Sequence, residues 1–470
     1  MKDKDNKDTG TGRKGLAGIL DSIEGDKVIW IVALLLIVIS VLVIFSSTPL
    51  IPNKTRIDIM KEHGKVALLG LGLIIFLYKA FRRIGTYRFL SQFGFLLSLV
   101  LLVILNGHGK LDIGPLKAAE FNNAYRVLTL YGLQIHVFEI VKVAMVMYLA
   151  WALHGMKIDN EAMEKKQESP TFLIANRLAE KKNFGFMKRP FAKRAFYIYF
   201  PVLLISGLVL SGSNSSGVFI GGILIGTLFI GGIPFKEMLA AGAGLLMVVG
   251  LCFGIYKISD GELMGRMRTF ESRMGAEYDT EILEKYVKDS PEFYTALDSI
   301  RQPFGAKVAV HEGKLLGKRI GNSTQKYSVI HIYSDYMFSF IIEEAGLLGG
   351  IFIILLYLSL IARCSTIISL CRNEFAKVAI GGLAFLITGQ AFLHILVNAC
   401  LIPMTGQTLP LLSDGSTAFL AFCIAFGIIL SISKMANKKM REMEQAQLTS
   451  SDEIQERISI LEKIEDEPHL

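Results

Sequence analysis

Val28-Ile-Trp-Ile-Val-Ala-Leu-Leu-Leu-Ile-Val-Ile-Ser-Val-Leu-Val-Ile-Phe45 decides the fold class, and Ser40 is its one polar residue. A soluble helix confines its apolar residues to a stripe, and a half-buried strand alternates them with polar ones. This run does neither. About 18 consecutive apolar residues are what a helix needs to cross a bilayer. Comparable runs recur along the 470 residues, near 28–47, 64–81, 89–106, 132–154, 195–211, 215–233, 236–257, 336–361, 376–399 and 416–434. The expected architecture is all-α, a polytopic membrane protein of about ten transmembrane helices. An N-terminal segment (1–27) precedes the transmembrane domain (28–434), and a tail (435–470) follows it. A large extracytoplasmic loop, 258–335, lies between the seventh and eighth helices.

Composition agrees, with 52% hydrophobic and 20% charged residues and a mean hydropathy of +0.46. It excludes a soluble enzyme, a disordered chain and a nucleic-acid-binding module. A β-barrel is excluded because the runs do not alternate. The cysteines at 252, 364, 371, 400 and 423 lie in or beside apolar segments and are expected to be small buried hydrophobes. No cleavable signal peptide is expected, because the polar start leads straight into the first span.

The net charge of +8 is read as topology. Lys and Arg crowd the 155–195 loop, the turn with Arg82, Arg83 and Arg88, and the stretch Lys434 to Arg441. All fall on one side if both termini are cytoplasmic; Lys54, Arg56 and Lys61 run against this bias. Phe172 to Lys182 is basic and amphipathic, as in a helix lying on the membrane surface. Ile454, Ile458 and Leu461 in the tail suit a solvated helix.

Ionisable groups within or at the mouths of spans are costly and mark candidate sites. Glu139 and Lys142 are three apart on the fourth span, so they share a face and can pair. That pair either ties helices together or lines a polar cavity. Arg126 precedes them at the outer end. Asp335 stands where the outer loop enters the eighth span. Glu343 falls nearer its helical face than Glu344 does. A carboxylate beside Lys, Arg and Gly at the water–membrane boundary suits a general base facing an anionic substrate, although a helix cap is the plainer alternative. Gly313 to Lys326 is glycine-punctuated, and Lys314, Lys318, Arg319 and Lys326 suit either a diphosphate or solvent. It is not a P-loop, since the spacing differs and no strand precedes it. Pro403-Met-Thr-Gly-Gln-Thr-Leu-Pro-Leu-Leu-Ser-Asp-Gly-Ser416 breaks the chain between the last two spans, and Ser413 within it joins the substrate-binding candidates. Irregular backbone at membrane depth is tolerated where it is buried in protein or lines a cavity. His394 and Asn398, one turn apart, read as satisfied helix contacts. No metal-ligand spacing appears among the histidines.

These stretches together resemble the SEDS family (shape, elongation, division and sporulation), which includes FtsW and RodA. The resemblance spans about 25–435. Gly25-Asp-Lys-Val-Ile-Trp30 is similar to the start of FtsW sequences from the Bacteroidetes. His136-Val-Phe-Glu139-Ile-Val-Lys142 resembles the end of a family stretch, Gln-Pro-Ser-Glu-x-x-Lys, keeping the Glu and Lys. Arg268-Thr-Phe-Glu-Ser-Arg273 resembles Arg-x-Thr-Trp-x-x-Arg. Tyr333-Ser-Asp335-Tyr-Met-Phe, with Glu343, Glu344 and Gly346, is similar to Ser/Thr-Asp-Phe-Ile-Phe…Glu-Glu-x-Gly. Pro403 to Ser416 resembles Pro-Thr-x-Gly-x-x-Leu-Pro-x-x-Ser-Tyr-Gly-Gly. The sequence departs from the family at Ser213 to Gly217 (Pro-Asp-x-Gly-Thr in the family), at Ile330 (Pro), at Asp414 (Tyr) and at Ser416 (Gly).

The resemblance implies a peptidoglycan glycosyltransferase that polymerises lipid II and releases undecaprenyl diphosphate, with Asp335 catalytic. On the charge and placement read above, Arg126, Glu139, Lys142, Lys318, Lys326, Glu343, Glu344 and Ser413 are the expected substrate-binding residues. The resemblance further implies a class B penicillin-binding protein as transpeptidase partner, alongside other division proteins, in the bacterial cytoplasmic membrane at the septum. No resident cofactor is expected; a divalent cation assisting the diphosphate has no visible ligand cluster. A lateral-wall RodA-type polymerase, a lipid II flippase and a non-catalytic division scaffold stay open as alternatives.

Overall fold

The computed structural model describes residues 24–48, 55–107, 116–120, 125–165, 167, 170–180, 185–187, 189–258, 288, 290–436 and 438. Lys54, Lys181, Lys182, Arg266, the Arg268–Arg273 motif and the apolar spacing at 454–461 lie outside them.

Among the described residues nine helices are long and apolar enough to span a membrane. They are α1 (Lys27–Ser47), α2 (Arg56–Ala80), α3 (Ile84–Asn106), α4 (Val137–Glu164), α6 (Pro190–Gly212), α8 (Phe235–Ile258), α10 (Met337–Leu370), α11 (Glu374–Asn398) and α12 (Ser416–Ala436). The tenth expected span is α7 (Asn214–Ile230), 17 residues and so about 25 Å long. The short α5 (Leu173–Ala179) falls on the expected surface helix.

Local chemistry sets the helix ends. Asp26 caps α1 by accepting from the amides of Val28 and Ile29. Its other oxygen takes Nη2 of Arg363 at 2.6 Å, tying α1 to α10. Thr55 and Asp58 form a capping box, which starts α2 at Arg56, eight residues before the apolar run at 64. Lys434 pairs with Glu24 at 2.9 Å, so the two ends of the described chain meet on one face. A buried ion pair, Lys193 to Asp159 at 2.7 Å, joins α6 to α4 near that face.

Burial separates centre from periphery. In α4, α11 and α12, 72%, 67% and 78% of the apolar window is buried, against 28% in α3 and 17% in α8. The central helices therefore pack on protein all round, and the peripheral ones keep a bare apolar face, as lipid contact requires. Small residues allow the close approach. A Cβ on Gly382 would lie 2.6 Å from Cγ1 of Val146, so the Val146 side chain of α4 rests directly on the α11 backbone there.

Two features correct the sequence reading. The fourth span begins at Val137, not near 132, because a three-stranded antiparallel sheet precedes it: β1 (Leu116–Glu120), β2 (Tyr125–Leu130) and β3 (Leu133–His136). Leu130 pairs with Leu133 across a two-residue turn, where Tyr131 and Gly132 have φ of +50° and +82°. Positive φ at both positions is the hairpin turn that matches strand twist. The second correction concerns the outer segment, which is not all loop. It contains the helix α9 (Pro291–Gly313), packed on α10.

Candidate active site

Asp335 is half-buried, two residues before α10, on the face that carries the sheet. It does not cap the helix; Tyr336 holds the cap position without a side-chain bond. The backbone around it is held from outside. The main-chain oxygen of Tyr333 accepts from the amide of Asp414 at 2.9 Å. That of Ser334 accepts from the Ser413 hydroxyl at 2.8 Å. That of Asp335 accepts from Nδ2 of Asn398 at 3.1 Å. Three consecutive carbonyls are thus fixed by the two segments that follow α10 in the chain. Oδ1 of Asn398 also accepts from the Ser339 amide at 2.9 Å. Asn398 therefore bridges the entry to α10 and its first turn. Burial raises the pKa of the Tyr333 hydroxyl, and the carboxylates of Asp414 and Asp335 raise it further.

Glu343 and Glu344 are buried on α10 and hold the glycine-punctuated loop. Glu343 accepts from the Thr324 amide at 2.8 Å, from the Ser323 hydroxyl, and from Lys318 Nζ at 3.1 Å. Glu344 accepts from the Gly321 amide at 3.0 Å and from Ser46 Oγ of α1 at 2.7 Å, with Lys326 Nζ 3.6 Å away. Lys318 also pairs with Glu312. Lys326 is 1% exposed and donates to the Gly321 oxygen at 2.6 Å. The structure therefore gives Lys318 and Lys326 internal carboxylate partners rather than a free cationic rim. Lys314 and Arg319 are the exposed cations of the run.

The same loop repairs a break in α10. Gly346 has φ +73°, and past it the amides of Leu347 and Leu348 donate to the oxygens of Lys314 and Leu315, at 2.9 and 3.3 Å. Glycine is required on both sides of this crossing. A Cβ on Gly346 would lie 2.3 Å from the Leu315 oxygen, and one on Gly317 2.3 Å from the Glu344 oxygen.

Glu139 and Lys142 pair at 2.8 Å as their spacing predicts. Lys142 is 2% exposed and also donates to Gln390 at 2.6 Å and Gln407 at 3.1 Å. Gln407 Nε2 donates to Ser216 Oγ at 2.9 Å, and the Gln407 main-chain oxygen lies 2.8 Å from His394 Nδ1. The network therefore straps the 403–415 segment across α4, α7 and α11. Arg126, on β2, donates from Nε to the Gly212 oxygen at 3.1 Å, at the joint of α6 and α7.

The expected site residues thus form two polar clusters, one around Glu343 and Glu344 and one around Lys142. Asp335 is linked to the second through backbone, by Ser413 and the 403–415 segment. Sequence reasoning missed Gln390, Gln407 and Ser216. An amide in an apolar span was the available signal for Gln390. Asn398 and His394, read as helix contacts, do make such contacts and also hold the Asp335 region. Among the described residues no group of three or more His, Cys, Asp or Glu is placed to hold a metal ion, and all five cysteines are free.

The fold has solved counterparts. A chain from a structure on the coordination of polymerization and crosslinking by a peptidoglycan synthase complex is 20% identical, with a TM-score of 0.57 over 88% of this chain and 98% of that one. The Thermus thermophilus rod shape determining protein RodA gives 18% identity and a TM-score of 0.53 over 88% and 98%. Among sequences, a probable peptidoglycan glycosyltransferase FtsW from Geobacter sp. (strain M18) is 22% identical over 87% of this chain and 97% of its own length. Shorter segments match more strongly. A probable peptidoglycan glycosyltransferase FtsW from Hahella chejuensis is 35% identical over 30% of this chain and 36% of its own length. The peptidoglycan glycosyltransferase MrdB of Escherichia coli K12 is 32% identical over 29% and 39%. In these two, the chain spans little more than a third of the relative. The sequence pattern of the cell cycle protein family FtsW/RodA/SpoVE matches residues 26–438, nearly the whole chain, and this protein belongs to that family.

Proposed function

We propose that this protein is a peptidoglycan glycosyltransferase that polymerises lipid II, with Asp335 as general base. The observation that carries the reading is the clamp on Asp335. A half-buried carboxylate has its own and the two preceding carbonyls fixed by Asn398, Ser413 and Asp414. A base is effective when its position is set before the substrate arrives. The Asp335 carboxylate takes the proton of the acceptor sugar hydroxyl as its oxygen attacks the anomeric carbon of the growing chain. The new glycosidic C–O bond forms as the anomeric C–O bond to the diphosphate breaks. Undecaprenyl diphosphate leaves with the electron pair in a single inverting displacement. The departing charge falls to the exposed Lys314 and Arg319 and to Arg126. Lys142, buried and paired, anchors the 403–415 segment through Gln407.

The wider reading follows the family. The chain lies in the bacterial cytoplasmic membrane with both termini cytoplasmic; Glu24 and Lys434 meeting on one face supports matching termini. It works with a class B penicillin-binding protein and other division proteins at the septum; the likeness to a peptidoglycan synthase complex supports such a transpeptidase partner.

The test is polymerisation of lipid II by the purified protein with its partner, in detergent, for wild type and Asp335→Asn. Glycan from wild type, lost in the variant, is expected. Undiminished glycan from Asp335→Asn would overturn the catalytic assignment. No glycan from wild type would favour a flippase or a scaffold.

A further inference from the structure

α3 and α4 run antiparallel, and Phe95 stacks on Tyr148 with ring centroids 4.2 Å apart. Two turns further from the sheet, that register brings Arg88 of α3 level with His154 of α4. Both carry buried atoms that have no hydrogen-bond partner among the described residues: Nε of Arg88 and both ring nitrogens of His154. Buried polar atoms are normally partnered; the Nε–H of Arg88 and the one N–H of a neutral His154 ring are two donors at one level, and they point to a ligand with acceptor oxygens. The charge is of the matching sign. Lys157, one turn beyond His154, pairs with Glu374 at 2.7 Å, and Glu374 also takes Lys377 at 3.2 Å. The charges felt by the His154 ring are Arg88, Glu374 and Lys157. Three cations and a histidine thus face two carboxylates, Glu374 and Glu161, the latter one turn beyond Lys157, and Arg82 and Arg83 stand exposed on the turn before α3.

Depth narrows the ligand. α4 enters at Val137, and about 20 helical residues cross the hydrocarbon. His154 and Lys157 therefore lie at headgroup level on the face opposite the sheet, which the Lys/Arg bias assigns to the cytoplasm. Asp335 is on the other side of the membrane.

We propose that this cluster binds the phosphate of an anionic phospholipid of the cytoplasmic leaflet. Arg88 offers its planar fork to two phosphate oxygens, His154 supplies a ring N–H, and Lys157 and Lys377 supply charge. The site is independent of whether the chain polymerises lipid II.

The test uses the full chain in phosphatidylcholine nanodiscs titrated with phosphatidylglycerol, read by retained lipid in native mass spectrometry and by the thermal midpoint. Wild type is expected to retain phosphatidylglycerol over phosphatidylcholine. Arg88→Gln and His154→Phe should each weaken retention roughly fivefold. Glu374→Gln, which releases Lys157 and Lys377, should strengthen it and guards against loss of folding in the other two. Equal retention by wild type, folded Arg88→Gln and Glu374→Gln would overturn the proposal. Displacement of the lipid by millimolar inorganic phosphate would overturn the lipid assignment in favour of a free anion.

Discussion

The side-chain amide of Asn398, on the last turn of α11, donates to the main-chain oxygen of Asp335 at 3.1 Å, while its Oδ1 accepts from Ser339 at 2.9 Å. One side chain thus sets the angle at which Asp335 enters α10. Replacing Asn398 with Ala or Asp removes the donor and frees that angle. Displacements near 1 Å cost on the order of a hundredfold in rate. Lipid II polymerisation by Asn398→Ala is expected to fall by about tenfold to a hundredfold, with a smaller change in apparent KM. An unchanged rate in folded protein would refute the positioning role.

Lys142 lies buried between Glu139, Gln390 and Gln407. Removing one partner of a buried pair leaves an uncompensated charge, costing about 3–5 kcal/mol, whereas replacing both is far cheaper. Glu139→Leu alone should therefore lower the thermal midpoint more than Glu139→Leu with Lys142→Met. The comparison needs only unfolding curves in one detergent. A double variant as unstable as the sum of the two singles would contradict it.

Gly317 and Gly346 cross where a Cβ on either would meet backbone at 2.3 Å, and both have positive φ. Gly321 has φ +91° but open space around it. Alanine at 317 or 346 adds a collision to backbone strain of about 1–3 kcal/mol; alanine at 321 adds strain alone. Proteolysis within 313–326 should accelerate in the first two variants well beyond the third.

The Glu312–Lys318 pair gives the loop a pH dependence. Lys318, with help from Thr324, holds the Glu312 carboxyl below its ordinary value of 4.5. Burial works to lower the Lys318 pKa, but Glu312 and Glu343 outweigh it and raise the value above 10.5. The Glu312 contribution is present above 4.5 and is lost as pH falls through its lowered value. The Lys318 contribution is present below 10.5 and is lost as pH rises through its raised value. Amide protection in 313–326, taken relative to the intrinsic exchange rate at each pH, should be greatest between these limits and fall at the acid end. Glu312→Gln should flatten the acid limb, and an unchanged acid limb in that variant would sink this account.

The apolar runs were enough to place nine spanning helices and the shorter α7, though not the start of α4. A membrane-crossing helix satisfies its own backbone, so its signal is local and its length is fixed by the bilayer. The Glu139–Lys142 pair was equally legible, being one helical turn apart. The hairpin was not. Its strands are short, and its one strong mark is Gly132 in the turn. The fate of Lys318 and Lys326 was hidden for a different reason. A cation beside glycines reads as a ligand site until its partner is known, and the partners, Glu343 and Glu344, lie 25 and 18 residues away on a helix the loop folds back to meet. Asn398 was visible as a polar residue in a span, but its partner Asp335 is 63 residues earlier. The sequence by itself determined a multi-pass helical membrane protein with a carboxylate at the mouth of a span. Only the tertiary structure decided which charges are spent inside the protein and what holds the backbone at Asp335 still, because these pairings depend on distances that a linear chain does not contain.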